Sequence, residues 1–226
     1  LNEPAMEEAA VAESDLECEQ AAQREENIET LQEHAAGFGI SLHVHLDQGD
    51  PAEELAKESS YADLLVMSPD TFSNAEEAIP SEFVRSILHD AACPVVLAPE
   101  GFEQIDNIVF CCDGSKSSIY AIRQFSYLFP QLHSQRVKVI GLHAGTPAPQ
   151  EQSRLTEWLR SQYADVEWIG QGPDAAEALF HYLLAKSNDF VVMGPYGHGL
   201  LASFFEPDYE SGCIRSNSVP VFITHC

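Results

Sequence analysis

The chain has 226 residues, 45% of them apolar, and a formal charge of −25 from 36 acids set against 11 lysines and arginines. That length admits one large domain or two small ones, and the apolar share is ordinary for a folded soluble protein. So acidic a surface repels nucleic-acid phosphates and anionic membranes, so neither nucleic acid nor membrane is an expected partner.

The charge is uneven. Residues 1–100 hold 23 acids and three bases, whereas residues 101–226 hold 13 acids and eight bases. No apolar run approaches the ~18–20 residues of a membrane span, and the opening residues are acidic rather than a basic, apolar leader. Six cysteines are too sparse for a disulfide scaffold, and their spacing matches no zinc site. A reducing cytoplasm is the expected location. Leu1 is not an initiator methionine, so the chain is expected to begin inside, or after processing of, a longer product.

After an acidic lead-in, Ser14 or Asp15 caps a helix predicted to run to about Ala36, with Leu16, Ile28 and Leu31 on its apolar side. Gly37 and Gly39 stop it. Ile40 to Leu46 then reads as a strand, and Asp50-Pro51 opens a short helix to about Ser60. Ala62 to Met67 reads as a buried strand, Ser81 to Ala91 as a helix, and Cys93 to Ala98 as a strand. From Ile105 the pattern begins again. Asn107 to Cys112 is a strand ending in Asp113-Gly114-Ser115, and a helix follows to about Phe129, with Ile119, Ile122, Phe125 and Leu128 at helical spacing. Val137–His143 (strand), Glu151–Tyr163 (helix), Val166–Ile169 (strand), Asp174–Lys186 (helix) and Phe190–Met193 (strand) come next. A helix within Leu200–Ser216 and a strand over Val219–Thr224 close the chain.

Strands alternating with helices of this length predict α/β units with parallel sheets. The sequence also repeats. Asp63–Met67 (D-L-L-V-M) stands 126 positions before Asp189–Met193 (D-F-V-V-M), and Pro94 stands 126 before Pro220. An internal duplication follows, with units 1–102 and 103–226. The first unit lacks the opening strand, helix and second strand that the second unit has.

Several motifs now converge. I-D-N-I-V-F-C-C-D-G-S, Q-G-P-D-A-A-E-A-L, D-F-V-V-M-G-P-Y-G-H-G and N-S-V-P-V-F-I-T occur in order in the second unit. Q-G-D-P-A-E-E-L, A-D-L-L-V-M-S-P and A-A-C-P-V-V-L answer them in the first. Together they resemble the universal stress protein family in its tandem form. The resemblance implies two doubly wound, Rossmann-like parallel sheets of strand order 3-2-1-4-5, the first lacking its first β-α-β segment. It further implies that the two units pair through their final strands, that the module dimerises further, and that roughly 50–60 N-terminal residues precede Leu1, from the usual length of a β-α-β unit.

The same resemblance places an adenine nucleotide such as ATP where the second unit's first and fourth strands diverge. Asp113 would meet the ribose or adenine, Ala144 the base edge, and Gly194 and Gly197 the phosphates, with Met193 and Asp208 also counted among the binding residues. ATP-binding relatives carry G-x-x-G, nine residues, then Gly-Ser or Gly-Thr, whose backbone N–H groups hold phosphate. Gly194-Pro195-Tyr196-Gly197 supplies the first half, but Pro207-Asp208 stands where the second should. Proline removes a donor. Asp208 adds a charge that, ~4 Å from a phosphate, costs ~4 kcal/mol at an effective dielectric near 20. ATP binding is therefore expected to be impaired. The first unit's loop, S-P-D-T-F-S-N, has neither glycine and is expected to hold no site.

Each of these residues also has a plainer reading: Asp113 as a helix cap and the glycines as a tight turn. Cys111 and Cys112 point to opposite faces of a strand and cannot chelate one metal together; one is expected in the core and the other towards the pocket. His43 and His45 share a face of the expected strand without a third ligand. Trp158, Trp168 and the pair Phe204-Phe205 read as packing residues, with a lid over the pocket or a partner contact as the alternative for Phe204-Phe205. There is no G-x-S-x-G, Walker lysine or H-E-x-x-H motif. The expected function is therefore a cytoplasmic, non-enzymatic stress-response protein. A weak nucleotide hydrolase and a ligand-free, chaperone-like interaction protein are the alternatives.

Overall fold

A computed structural model describes residues 21–46, 48–73, 80–102, 104–141, 147–171, 188–194 and 219–224. The chain divides into two compact units, Leu1–Gln48 and Gly49–Cys226.

In the first unit a helix, α1, occupies residues 21–37. It ends because Gly39 adopts the left-handed conformation, with φ of 70°. The Gly39 amide then donates to the Ala36 carbonyl at 3.1 Å, and the Ile40 amide to that of Ala35 at 2.8 Å. This paired closure satisfies the last carbonyls of a helix. The strand expected over residues 40–46 is absent: that segment has no ladder. Its alternating apolar residues stand in solvent, Ile40 at 62% exposure and Leu46 at 66%. Alternation supplies a face, but a strand also needs a neighbour for its N–H and C=O groups, and among the described residues none pairs with this one.

The second unit runs α2 (Pro51–Ser59), β1 (Leu65–Met67), α3 (Glu82–Asp90), β2 (Val95–Leu97), β3 (Asn107–Cys112) and α4 (Lys116–Leu128). A 3-10 turn at Pro130–Leu132 leads to β4 (Arg136–Gly141), α5 (Pro149–Gln162), β5 (Val166–Gln171), β6 (Asp189–Met193) and β7 (Val221–Ile223). Helix starts follow from local chemistry. Asp50 accepts from the Ala52 and Glu53 amides at 3.0 and 3.1 Å, ahead of Pro51. Ser81 accepts from Val84 and also donates to the Thr71 carbonyl, tying the preceding loop to α3. The helices expected over Asp174–Lys186 and within Leu200–Ser216 lie outside the described residues, as do Phe204 and Phe205.

The seven strands form one sheet in the order β1-β2-β7-β6-β3-β4-β5. Every neighbouring pair is parallel except β2 and β7, which run antiparallel with Val96 opposite Phe222. The pairing repeats at the sequence offset. Leu65 lies opposite Val95 and Val191 opposite Val221. Pro94 accepts from the Leu65 amide at 2.9 Å and Pro220 from that of Val191 at 3.0 Å, again 126 positions apart. Proline has no N–H to give, so at a strand entrance it takes part through its carbonyl alone. β1 is shorter and less covered than the sequence predicts: it lies at the sheet edge, and Val66 is 58% exposed.

Alternate residues feed two cores. Val109, Cys111, Val191, Met193 and Ile223 pack with Val84, Ile87 and Leu88 of α3 on one face. Ile108, Phe110, Cys112, Phe190, Val192 and Phe222 pack with Ala121, Ile122, Phe125, Leu155 and Leu159 on the other, under α4 and α5. Both cysteines are therefore buried, correcting the expectation that one faces a pocket; burial pushes both thiols up. Trp158 and Trp168 pack against this second core, and Trp168 Nε1 donates to Thr156 at 2.9 Å.

Phe125 is the hub of the second core. Its ring lies 4.8 Å from Phe129, 5.0 Å from Phe190, 5.4 Å from Phe222 and 5.8 Å from Phe110. Each of those rings belongs to a different element, so this one side chain links α4 with β3, β6 and β7. Phe125→Ala should cost about 3–5 kcal/mol, read as a lowered urea midpoint with an unchanged slope. Phe129→Ala, at the partly buried rim, should cost clearly less.

Candidate functional site

The site follows from how strands part. β3 and β6 stay paired from Asn107 with Asp189 to Phe110 with Val192. Beyond that, Cys112 stays with Gly141 of β4, and Met193 goes with Ile223 of β7. A sheet whose neighbouring strands carry their crossovers in opposite directions opens a crevice at their carboxyl ends. Asp113 directly follows β3 and Gly194 directly follows β6, so the structure brings these two candidates to the same divergence. Met193 precedes them with its side chain in the core, 1% exposed beside Cys111 and Ile223. Ala144, Gly197 and Asp208 lie outside the described residues.

Asp113 is not the cap of α4. That role belongs to Ser115, whose hydroxyl accepts from the Ser118 amide at 3.1 Å. Asp113 instead closes the turn ahead of it: its Oδ1 accepts from the Ser115 amide at 2.9 Å across Gly114, which has φ of 78°. Partial burial alone would raise the Asp113 carboxyl. Bonds from the Ser115 hydroxyl and amide and the Ser118 hydroxyl outweigh it and hold the group below its usual range. Ser118 is the junction of this network, meeting the Ser115 carbonyl at 3.0 Å and Cys112 Sγ at 3.9 Å.

Gly194 has a steric reason to be glycine. A Cβ there would stand 3.0 Å from the Ser117 carbonyl carbon and 3.1 Å from the Ser118 nitrogen. Both are backbone atoms of a capped first turn and cannot swing aside. The end of β6 thus sits directly on the start of α4, and the bare Cα makes that approach feasible. Sequence reasoning assigned the glycine to a ligand and missed Ser117 and Ser118 as its seat. The signal was present in Ser117-Ser118, two small residues in the first turn of a helix that must let a strand come close.

Among the described residues no group of three or more His, Cys, Asp or Glu side chains could hold a metal. His43 Nε2 lies 3.2 Å from the Ser41 hydroxyl, on the segment that forms no strand. Away from the strand divergence, an open groove of about 580 Å³ runs along α5, lined by Gln152, Thr156, Glu157, Arg160 and Trp168.

The arrangement defines a class first: a three-layer α/β protein with one mostly parallel sheet and a strand divergence at Asp113 and Gly194. Comparison then gives the fold a family name. A universal stress protein from Archaeoglobus fulgidus superposes with a TM-score of 0.66 at 17% identity, over 92% of this chain and 77% of that one. A Pseudomonas aeruginosa structure provisionally named a universal stress protein matches at 0.51 and 12% identity, over 89% of this chain and 78% of that one. A functionally unknown protein of the same organism matches at 0.51 and 13% identity, over 89% and 77%. The chain therefore has the universal stress protein fold. No protein-family model matches it, and no curated protein matches its sequence.

Two outcomes check this geometry. Gly194→Ala should destabilise the protein by about 1–3 kcal/mol, as overpacking against fixed backbone does, measured by urea unfolding. Asp113→Ala should cost about 1 kcal/mol at neutral pH. Because the native carboxyl is held low, its contribution is complete above the unfolded value near 3.9 and fades as pH falls through the native one. The gap between wild type and Asp113→Ala should therefore narrow below about pH 4; a gap that widened there would overturn the assignment.

Proposed function

We propose that this is a cytoplasmic stress-response protein of the universal stress protein kind. It is built from two tandem repeats, residues 1–102 and 103–226, and works by binding a ligand or partner rather than by catalysis. The observation that carries the reading is the strand divergence at Asp113 and Gly194, on a fold shared with a universal stress protein at a TM-score of 0.66. The register that recurs at an offset of 126 residues supports the tandem reading, and the antiparallel meeting of β2 with β7 supports pairing of the repeats through their final strands. An assembly of two copies belongs to the same proposal.

An adenine nucleotide remains the ligand class for the second repeat, with Asp113, Ala144, Met193, Gly194, Gly197 and Asp208 around it, in an impaired site. Impairment has three supports. Asp113 already accepts from its own turn. The absence of a side chain at Gly194 is accounted for by Ser117 and Ser118. Pro207 and Asp208 replace the donors that would hold phosphate. These same points weigh against a nucleotide hydrolase and in favour of an interaction protein.

The deciding experiment denatures freshly purified protein, identifies released nucleotide by chromatography, and then titrates ATP with Mg²⁺ by calorimetry. The expected result is weak binding, above about 10 μM and so under ~7 kcal/mol, without turnover. Tight carry-over of ATP would refute impairment. Steady phosphate release abolished by Gly197→Val would refute the non-enzymatic reading.

A further inference from the structure

The acids of this chain are absent from one long stretch. Residues 114–150 contain no Asp or Glu and carry Lys116, Arg123, Arg136 and Lys138, whereas the remaining residues hold all 36 acids and seven bases. At the chain's average density about six acids would fall there. The stretch includes the whole of α4.

On α4 the pattern has an orientation. Ala121, Ile122 and Phe125 are buried, while Lys116, Arg123 and Tyr127 are exposed and Tyr120 is half-exposed. The sequence spacing of Lys116, Tyr120, Arg123 and Tyr127 sets them along one side of the helix. Tyr127 meets Trp158 of α5 edge to face at 6.4 Å, and the Arg123 guanidinium stands 5.8 Å from the Tyr127 ring centroid. Arg154, exposed and one turn before Trp158, adds a third cation, while exposed Glu151, a turn earlier on the same side, is an acid of that face. Among the described residues none of Lys116, Arg123 and Arg154 forms an ion pair. Glu157 and Arg160 line the groove on the other flank of α5.

A solvated helix face is the ordinary reading of exposed arginines. It does not account for aromatic rings set among them, nor for the missing acids in a chain otherwise so rich in them. Arginine with tyrosine and tryptophan is the composition of protein-binding surfaces. We propose that the α4–α5 face, centred on Arg123, Tyr127 and Trp158, is a docking surface for an acidic segment of another protein. Charge complementarity selects the occupant: spaced cations suit spaced carboxylates, and the rings suit apolar side chains between them. A nucleic acid offers the same sign of charge at a higher, continuous density, so the repulsion of the chain's net −25 falls more heavily on it than on spaced carboxylates.

The test uses a fluorescein-labelled peptide of repeated Glu-Glu-Leu-Tyr units, titrated with the full chain by fluorescence anisotropy. Binding is expected at low salt, weakening as salt rises, with no binding of a Lys-Lys-Leu-Tyr counterpart. Arg123→Glu with Arg154→Glu should weaken it about tenfold or more. Arg24→Glu with Arg85→Glu, which changes net charge equally elsewhere, should leave it within about twofold. Tyr127→Ala should weaken it without changing charge, and urea midpoints establish that each variant is folded. The proposal is overturned if the peptide does not bind at low salt or if both double variants lose binding alike. Stronger binding of oligo-dT than of the peptide, or a self-association that the Arg123 and Arg154 changes abolish, overturns it too.

Discussion

Everything in the larger unit depends on the antiparallel seam between β2 and β7. Three residue pairs make it, Val95 with Ile223, Val96 with Phe222 and Leu97 with Val221, and all six side chains are buried. Each strand is parallel to its neighbour on the far side, so neither could end a sheet without exposing a fully apolar rung. Edge strands of that composition invite aggregation; placed against each other, each removes the other's edge. The seam also carries the cores across the sheet. Val96 and Phe222 contribute to the core beneath α4 and α5, while Val95, Leu97, Val221 and Ile223 contribute to the one beneath α3. Two short strands thus join β1 and β2 to the other five strands as one sheet, with three pairs of buried side chains across the join.

Legibility in the sequence followed the range of the forces involved. Asn107–Cys112 was readable as a strand because six consecutive apolar or neutral residues and a Gly-bearing turn make a local signal, and the strand has those bounds. Asp50-Pro51 was readable as a helix start because capping involves only the next three residues. Residues 40–46 were misread for the opposite reason. Their alternation is as clear as any in the chain, but strand formation is decided by a neighbour that no local pattern can report. The exposed Val66 in β1 makes the same point, since its coverage depends on what lies beside a sheet edge.

The site divides along the same line. Asp113 and Gly194 were found as a pair because a strand ending in Asp-Gly-Ser and a strand ending in Gly are short-range features. What those residues touch is long-range. Ser117 and Gly194 are far apart in sequence, and only the packing of α4 against the end of β6 leaves so little room that a Cβ on Gly194 would stand 3.0 Å from the Ser117 carbonyl carbon. A glycine chosen for a ligand and a glycine chosen for a helix look identical in a sequence. The steric environment separates them, and here it favours the helix.

Asp189 and Asp63, 126 positions apart, differ in their surroundings. Asp189 begins β6 fully buried, with Oδ1 accepting from Asn107 Nδ2 at 2.6 Å and Oδ2 without a partner. Its counterpart Asp63 is exposed. A buried carboxylate with half its capacity unmet is a cost, and a hydrophobic residue there would serve packing better. Asn107 offsets part of that cost and in doing so ties the entrance of β3 to the entrance of β6, where Asn188 also donates to Asp106 at 2.9 Å. The polar entrances of these two central strands are therefore held in register at the end opposite the divergence. Register is fixed at one end, and at the other the two strands continue with different neighbours, which leaves Asp113 and Gly194 at the divergence.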